Sequence, residues 1–314
     1  MLKKRLIRFA IVVCVCLVVL VVVIYTPDTP LPTLKEKYEY VNSRYLQHEG
    51  MDVHYRDMGQ GQTIVLLHGT SSSLHTWDEW AKLLQQNYRV VSIDLPAFGL
   101  TGPFVQHQDY STGAYVKWMH GVFEKLNVGH AILAGNSFGG HLAWRYAARF
   151  PELVKGLVLI SPSGFPLESL TTKGFRLVAS SYVGWIAKYV TPFYIVRDSI
   201  RNVYGDKSKV NDELVHRYRD LTLRPGNREA LILRFRALRW GHTDLLSKVK
   251  APVLLMWGTE DALIPYAEHS RHFQQALPQA QLISYPGIGH MAMEEIPAQT
   301  VADVMPFLDA TSSQ

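Results

Sequence analysis

Residues 131–147 read AILAGNSFGGHLAWRYA, a buried strand running straight into a helix. Ala131–Ala134 is a short apolar run of the kind that forms a buried parallel strand. From Gly139 to Phe150 the apolar positions recur at helical spacing. Between them lies Gly135-Asn136-Ser137-Phe138-Gly139, a G-x-S-x-G pentapeptide. A strand that turns directly into a helix needs a sharp, strained corner, and Gly135 and Gly139 leave room for one. Such a corner holds the hydroxyl of Ser137 exposed and aims the N-terminus of the following helix at it. The pentapeptide by itself also occurs as a structural turn. Its place between an apolar strand and a helix makes Ser137 the candidate nucleophile.

Outward from this corner the chain alternates strands and helices. Thr63–Leu67, Arg89–Ile93, Gly156–Ile160, Val253–Trp257 and Leu282–Tyr285 read as strands. Trp77–Gln86, Tyr110–Leu126, Pro265–Leu277 and Ile296–Leu308 read as helices. Ser43–Gln47 and Met51–Met58 flank Gly50 and read as a leading antiparallel hairpin. The pattern predicts an α/β fold: a mostly parallel eight-stranded sheet with helices on both faces. Its two core portions, 43–164 and 251–314, are separated by residues 165–250, which have helical periodicity and no strand-like run. That insertion carries 16 Lys/Arg against 8 Asp/Glu and reads as a helical cap over the sheet.

A serine hydroxyl is a poor nucleophile at neutral pH. It needs an imidazole to take its proton and a carboxylate to hold that imidazole in the right tautomer. Gly287-Ile288-Gly289-His290 follows the last strand and offers His290 as the base. Trp257-Gly258-Thr259-Glu260-Asp261 follows the preceding strand. Asp261 fits a G-x-x-D-x-x-x-P spacing better than Glu260, and its alternative role is that of a helix N-terminal acid.

At this point the chain resembles the α/β-hydrolase superfamily from about residue 40 to 310, cap position included. HGTSSSLHTW, DLPAFGLTGP and GNSFGGHLAW look most like bacterial esterases and lipase-like hydrolases. They are also similar to haloalkane dehalogenases and ring-cleavage C–C hydrolases. The resemblance implies the chain order Ser137, Asp261, His290 for a catalytic triad. It also implies that His68-Gly69-Thr70 is an oxyanion-hole turn, with the backbone N–H of Thr70 and of Phe138 as donors and His68 as a hydrogen-bonded turn histidine. Ala97 departs from the glycine often found in the D-x-P-G-x-G turn, which changes a loop and no catalytic group. Dehalogenases and epoxide hydrolases use an Asp nucleophile, because water can cleave the resulting ester. A serine alkylated in that way would be an inert ether, so Ser137 argues for acyl chemistry.

Hydrolysis of carboxylic esters, of small molecules or lipids, is the leading expectation. The alternatives are C–C bond hydrolysis, a cofactor-free perhydrolase and a non-catalytic ligand receptor. For C–C hydrolysis, Arg145, Arg236 and Trp240 are candidates to meet a substrate carboxylate. The cap tyrosines Tyr182, Tyr189 and Tyr204 are expected to be pocket walls.

The amino terminus has a separate character. Phe9 to Tyr25 is a run of 17 uncharged residues, mostly Val, Leu and Ile. With Arg8 snorkelling, it reaches the roughly 20 residues that a spanning helix needs. No small-residue cleavage pattern follows, so residues 1–25 are expected to be an uncleaved membrane anchor. Lys3, Lys4, Arg5 and Arg8 put its N-terminus in the cytoplasm and the body on the far, periplasmic or extracellular, side. Residues 26–42, with Pro27, Pro30 and Pro32, read as a stiff linker. These four bases also supply most of the net charge of +5, which removes the case for nucleic-acid binding. Both cysteines, Cys14 and Cys16, lie in the apolar run, so no disulfide framework or Cys-based site is expected. No cofactor is expected, and no metal, since His269 and His272 have no third ligand nearby. His120, His130, His141 and His242 read as surface or satisfied core residues.

Overall fold

The structure is a computed structural model that describes residues 24–166, 178–238 and 241–313. All but the last two positions of the expected membrane anchor lie outside the described residues, as does Trp240. Among the described residues no helix is long and apolar enough to cross a membrane.

A first helix, α1 (Leu31–Tyr38), precedes β1 (Ser43–His48), β2 (Met51–Met58) and β3 (Thr63–Leu67). Then come α2 (Asp78–Leu84), β4 (Arg89–Ile93), α3 (Thr112–Lys125), β5 (Ala131–Asn136), α4 (Phe138–Arg149) and β6 (Val154–Ile160). After β6 the described residues form helices: α5 (Ser181–Ala187), α6 (Phe193–Arg201), α7 (Asp212–Thr222) and α8 (Asn227–Ala237), with short 3-10 turns. The chain ends with β7 (Val253–Gly258), α9 (Tyr266–Ala276), β8 (Gln281–Tyr285), the single turn α10 (Ala292–Glu295) and α11 (Pro297–Ser312). The eight strands form one sheet in the order β1-β2-β4-β3-β5-β6-β7-β8. The β1–β2 and β2–β4 pairings are antiparallel and the rest parallel, which is the α/β sheet that the sequence predicts.

Alternation along the central strands builds both faces. Val65, Leu67, Leu133, Leu157, Leu159 and Leu255 join residues of α3, α4 and α9 in one core. Their neighbours Ile64, Leu66, Ile132, Val158, Ile160 and Leu254 join residues of α2 and α11 in the other. Both faces are covered, so strands β3, β5 and β7 are buried along their whole length. Trp80 on α2 ties the second layer together by donating to Thr300 on α11, at 2.9 Å.

Residues 26–42 are not the extended linker that their prolines suggest. Pro30 and Pro32 fall at the start of α1, where a fixed φ favours a helix and a missing N–H costs nothing. Leu34 is buried against Leu100 and Leu221, and Lys37 and Tyr38 both bond Asp220 of α7. The segment before α1 is pinned as well. Thr26 donates its N–H to Tyr189, and Asp28 pairs with Arg228 of α8. The amino-terminal segment therefore straps the helical insertion to the body.

A buried polar hub holds the first strands to this strap. Asp94 is fully buried and accepts from Leu74 N, Leu100 N and the His54 ring. Burial alone raises its carboxyl, but the facing His54 outweighs this and holds it at about 2. His75 bonds Ser73 and the Tyr38 carbonyl, and burial lowers it from 6.5 to about 4. Burial, reinforced by the charge of Arg145, lowers His141 to about 3. Below pH 6.5 the unfolded chain takes up the two histidine protons while the folded chain refuses them, so their contribution is complete above 6.5 and declines as pH falls towards 4. Asp94 adds a further loss only below its ordinary 3.8. Thermal unfolding followed across pH should show a midpoint that drops as pH falls from 6.5 to 4. A midpoint that stays level through that window contradicts the assignment of buried neutral histidines.

Candidate active site

Ser137 sits where β5 becomes α4, in the left-handed region at φ 54° and ψ −113°. A non-glycine residue held there stores about 1–3 kcal/mol, and the surroundings must fix it. They do so through the backbone: Ser137 N donates to Ile160 O at 3.0 Å, and its carbonyl accepts from Ser163 N at 3.1 Å. Gly139 permits the corner, because a Cβ there would overlap the Leu67 carbonyl of β3. Ser137 is 8% exposed, and its hydroxyl makes no hydrogen bond with a described residue.

Asp261 and His290 come from the turns after β7 and β8, which are neighbours because Gly258 pairs with Tyr285 in the register. A Cβ at Gly258 would overlap the carbonyls of Ile288 and Gly289, so the two turns touch through backbone. The Asp261 Oδ1 accepts from Leu263 N and Ile264 N at 2.9 and 2.8 Å. That leaves Oδ2 facing the His290 Nδ1, at 2.7 Å, with both residues buried. Glu260 is exposed, and only its backbone bonds the histidine turn. Asn136, beside Ser137, donates its side-chain N–H to the His290 carbonyl at 3.1 Å. The His290 Nε2 is buried without a partner, as a nitrogen reserved for a substrate-side proton would be.

The third element is the turn after β3. His68 accepts from Leu95 N through Nε2 at 3.0 Å, so its Nδ1 carries the proton that binds Gly69 O at 2.8 Å. Burial lowers its pKa, which agrees with a neutral ring. Holding the Gly69 carbonyl fixes the peptide whose other end is the Thr70 N–H. Gly69 itself lies against Asn136 and the Ser137 Cβ. Neither the Thr70 nor the Phe138 N–H donates to a described residue, so two free amides flank the serine. His68 is a turn histidine, as expected from the sequence.

The helical insertion rests on these same turns. His290 N donates to Val203 O at 2.7 Å. Glu295 accepts from Gly289 N on one oxygen and from Gly205 N and Asp206 N on the other. Glu294 accepts from Tyr204 and Tyr218 and pairs with Arg217. Sequence reasoning missed both glutamates, since two acids opening a final helix look like ordinary N-terminal charges.

Other candidates separate. Arg145 lies beside the Trp144 ring, and Arg236 donates to the Ala179 carbonyl. Tyr204 borders a cavity of about 1020 Å³ together with Tyr38, His75, Thr76, Arg217 and Met293, but none of Ser137, Asp261 or His290 lines it. Tyr189 is no pocket wall, because it lies at the surface against Tyr25. Ala97 has φ 79°, so the departure from glycine leaves a strained alanine in that turn. No cluster of three metal-ligating side chains occurs among the described residues. Ser43, His54 and Asp94 form a fully hydrogen-bonded Ser-His-Asp series, at 2.7 Å for each link, whereas only the His290–Asp261 link is bonded at the Ser137 site. Ser43 is a strand residue whose N–H is bonded to Tyr40 O, without the strained corner of Ser137.

The α/β hydrolase fold family matches residues 62–297. The chain belongs to that family. This α/β-hydrolase is 30% identical over 265 residues to the uncharacterized hydrolase YugF of Bacillus subtilis, covering 81% of the chain and 92% of the relative. It is 30% identical over 257 residues to the 2-hydroxy-6-oxo-2,4-heptadienoate hydrolase of Pseudomonas putida, covering 78% and 88%. A variant of the meta-cleavage product hydrolase CumD, of Pseudomonas fluorescens IP01, superposes with a TM-score of 0.74 at 25% identity, over 85% of this chain and 98% of that one.

Glu295 carries the contact between the α/β-hydrolase core turn and the insertion. Replacing it by Ala leaves three N–H groups without their acceptor and should cost about 2–4 kcal/mol. Urea unfolding of Glu295→Ala measures this, and an unchanged midpoint contradicts the role.

Proposed function

We propose that this α/β-hydrolase cleaves carboxylic esters by acyl transfer through Ser137. The observation that carries the reading is the strained serine with two undonated amides, joined through Asn136 to the turn of a buried histidine whose Nδ1 is already engaged by Asp261. In the first step the Ser137 oxygen attacks the ester carbonyl, and His290 Nε2 takes the serine proton. Negative charge grows on the carbonyl oxygen, and the N–H groups of Thr70 and Phe138 receive it. His290 then returns the proton to the departing alcohol. Water, activated by the same nitrogen, cleaves the acyl-enzyme. Asp261 keeps Nδ1 protonated throughout, so that Nε2 is always the basic atom.

The reading extends to lipid-derived esters and an anchored protein. Its support is the uncharged run Phe9–Tyr25 with Lys3, Lys4, Arg5 and Arg8 before it. In this reading the body lies across the membrane from those charges.

A second reading, hydrolysis of a C–C bond in a vinylogous diketone, is favoured by the names of relatives. Curated relatives at 26–30% identity include a 2-hydroxy-6-oxo-2,4-heptadienoate hydrolase and a 2-hydroxy-6-oxo-6-phenylhexa-2,4-dienoate hydrolase. A panel of p-nitrophenyl esters of graded chain length, run beside a dienoate diketone, separates the two. The ester reading predicts turnover of esters in the panel, and the graded lengths report which acyl chain the site takes. Turnover confined to the diketone sinks it. Ser137→Ala should lose several orders of magnitude in kcat, and Asp261→Asn about 10⁴-fold through the wrong imidazole tautomer. Near-full activity in Asp261→Asn alongside a large loss in Glu260→Gln contradicts the assignment of the acid.

A further inference from the structure

Three arginines are buried among the described residues: Arg56, Arg228 and Arg234. Arg56 pairs with Asp78, and Arg228 with Asp28. Arg234, on α8, is 5% exposed and has neither an ion pair nor a hydrogen bond with a described residue. Its Nε is sealed without an acceptor. Its guanidinium carbon lies 3.6 Å from the centre of the Phe138 ring, and Phe138 directly follows the candidate nucleophile.

A buried, unpaired charge is costly, and folding alone gives no reason to keep one. Burial lowers the Arg234 pKa to about 10, so the group stays protonated at neutral pH. Among the described residues the group that favours its charge is Tyr115, not an Asp or Glu, and the Tyr115 hydroxyl is spent on the Pro96 carbonyl. His141, nearby, is held neutral partly by Arg145 and Arg234 together. The 12-residue helix α4 begins at Phe138 and adds its positive N-terminal end to the same region. Positive charge thus stands beside Ser137, and among the described residues no carboxylate pairs with Arg234. A guanidinium fork suits the two oxygens of a carboxylate or the face of a phosphate, and stacking on an aromatic ring holds the fork in plane.

We propose that Arg234 is a specificity residue that receives an oxyanion carried by the substrate, a few bonds from the scissile carbonyl. The proposal rests on the ester-hydrolase reading for the reaction, though not for the binding of the anion. The oxyanion belongs to the acyl part or to the alcohol part of the ester, and isosteric pairs tell these apart. For the acyl side the pair is the p-nitrophenyl half-ester of glutarate against p-nitrophenyl pentanoate. For the alcohol side it is 4-carboxyphenyl pentanoate against phenyl pentanoate. A parallel arm follows the melting temperature of the full chain with free glutarate, which needs no turnover.

In the wild-type chain, one anionic ester should exceed its neutral partner in kcat/KM by about tenfold or more. Arg234→Met should lower that ratio by about the same factor, chiefly through KM, and Arg234→Lys should recover part of it. Glutarate should raise the melting temperature of the wild type and leave that of Arg234→Met unmoved. Without ligand, Arg234→Met should melt no lower than the wild type, because it removes an unpaired charge. An anionic-to-neutral ratio that Arg234→Met does not change, with no glutarate-dependent shift, overturns the proposal. So does an equal loss on all four esters with a lowered melting temperature, which marks Arg234 as a packing clamp on Phe138. If no ester is cleaved but glutarate still stabilises only chains that retain Arg234, the ester reading fails and the oxyanion site stands.

Discussion

The corner at Ser137 is the constraint on which the rest depends. A serine at φ 54° is held against its own preference, and only the central strands make that possible. The β6 backbone accepts the Ser137 N–H, while β3 passes so close to α4 that Gly139 has no space for a side chain. The strain has a chemical consequence. It leaves the hydroxyl unbonded and turns the Phe138 N–H outward as the first free donor of α4. The parallel order β3-β5-β6-β7-β8 then brings the turns that carry Thr70, Asp261 and His290 to the same, carboxyl-terminal end of the strands.

The helical insertion is bonded into that end of the sheet rather than laid over it. His290 gives its own N–H to Val203, and Glu295 grips the histidine turn with one oxygen and the insertion with the other. The strap before β1 bonds the insertion from its other side, through Thr26, Asp28, Lys37 and Tyr38. Movement of α6–α8 would therefore be felt at the histidine turn and at the amino terminus together. The residues preceding the strap include the long uncharged run, so the amino-terminal segment and the site are linked through one set of helices.

The fold was legible because the signals were local. TIVLL and VLLMW are apolar on both faces, and each stands where a buried strand lies. The turns carrying Ser137, Asp261 and His290 were legible for the same reason: each follows such a strand and contains glycine. The preference for Asp261 over Glu260 rests on spacing in the sequence, and in the structure Oδ1 of Asp261 accepts from two amides while Oδ2 faces His290. What could not be read was long-range. Pro30 and Pro32 suggested a tether, but burial of Leu34 beside Leu221, far along the chain, makes that segment a helix. Arg234 sits in LRFRAL, where alternating arginines look like a solvated helix face. Only the packing of α8 on Phe138 separates it from Arg236.

The ester reading requires Ser137, and no other serine, to be the activated nucleophile. Its most direct measurement is intact-protein and peptide mass spectrometry of the full chain after treatment with a fluorophosphonate. One phosphonyl group per chain is expected, located on Ser137, with labelling that slows sharply in Asp261→Asn. A modified Ser43, whose His54–Asp94 series is the competing arrangement, or a chain that resists labelling altogether, would contradict it.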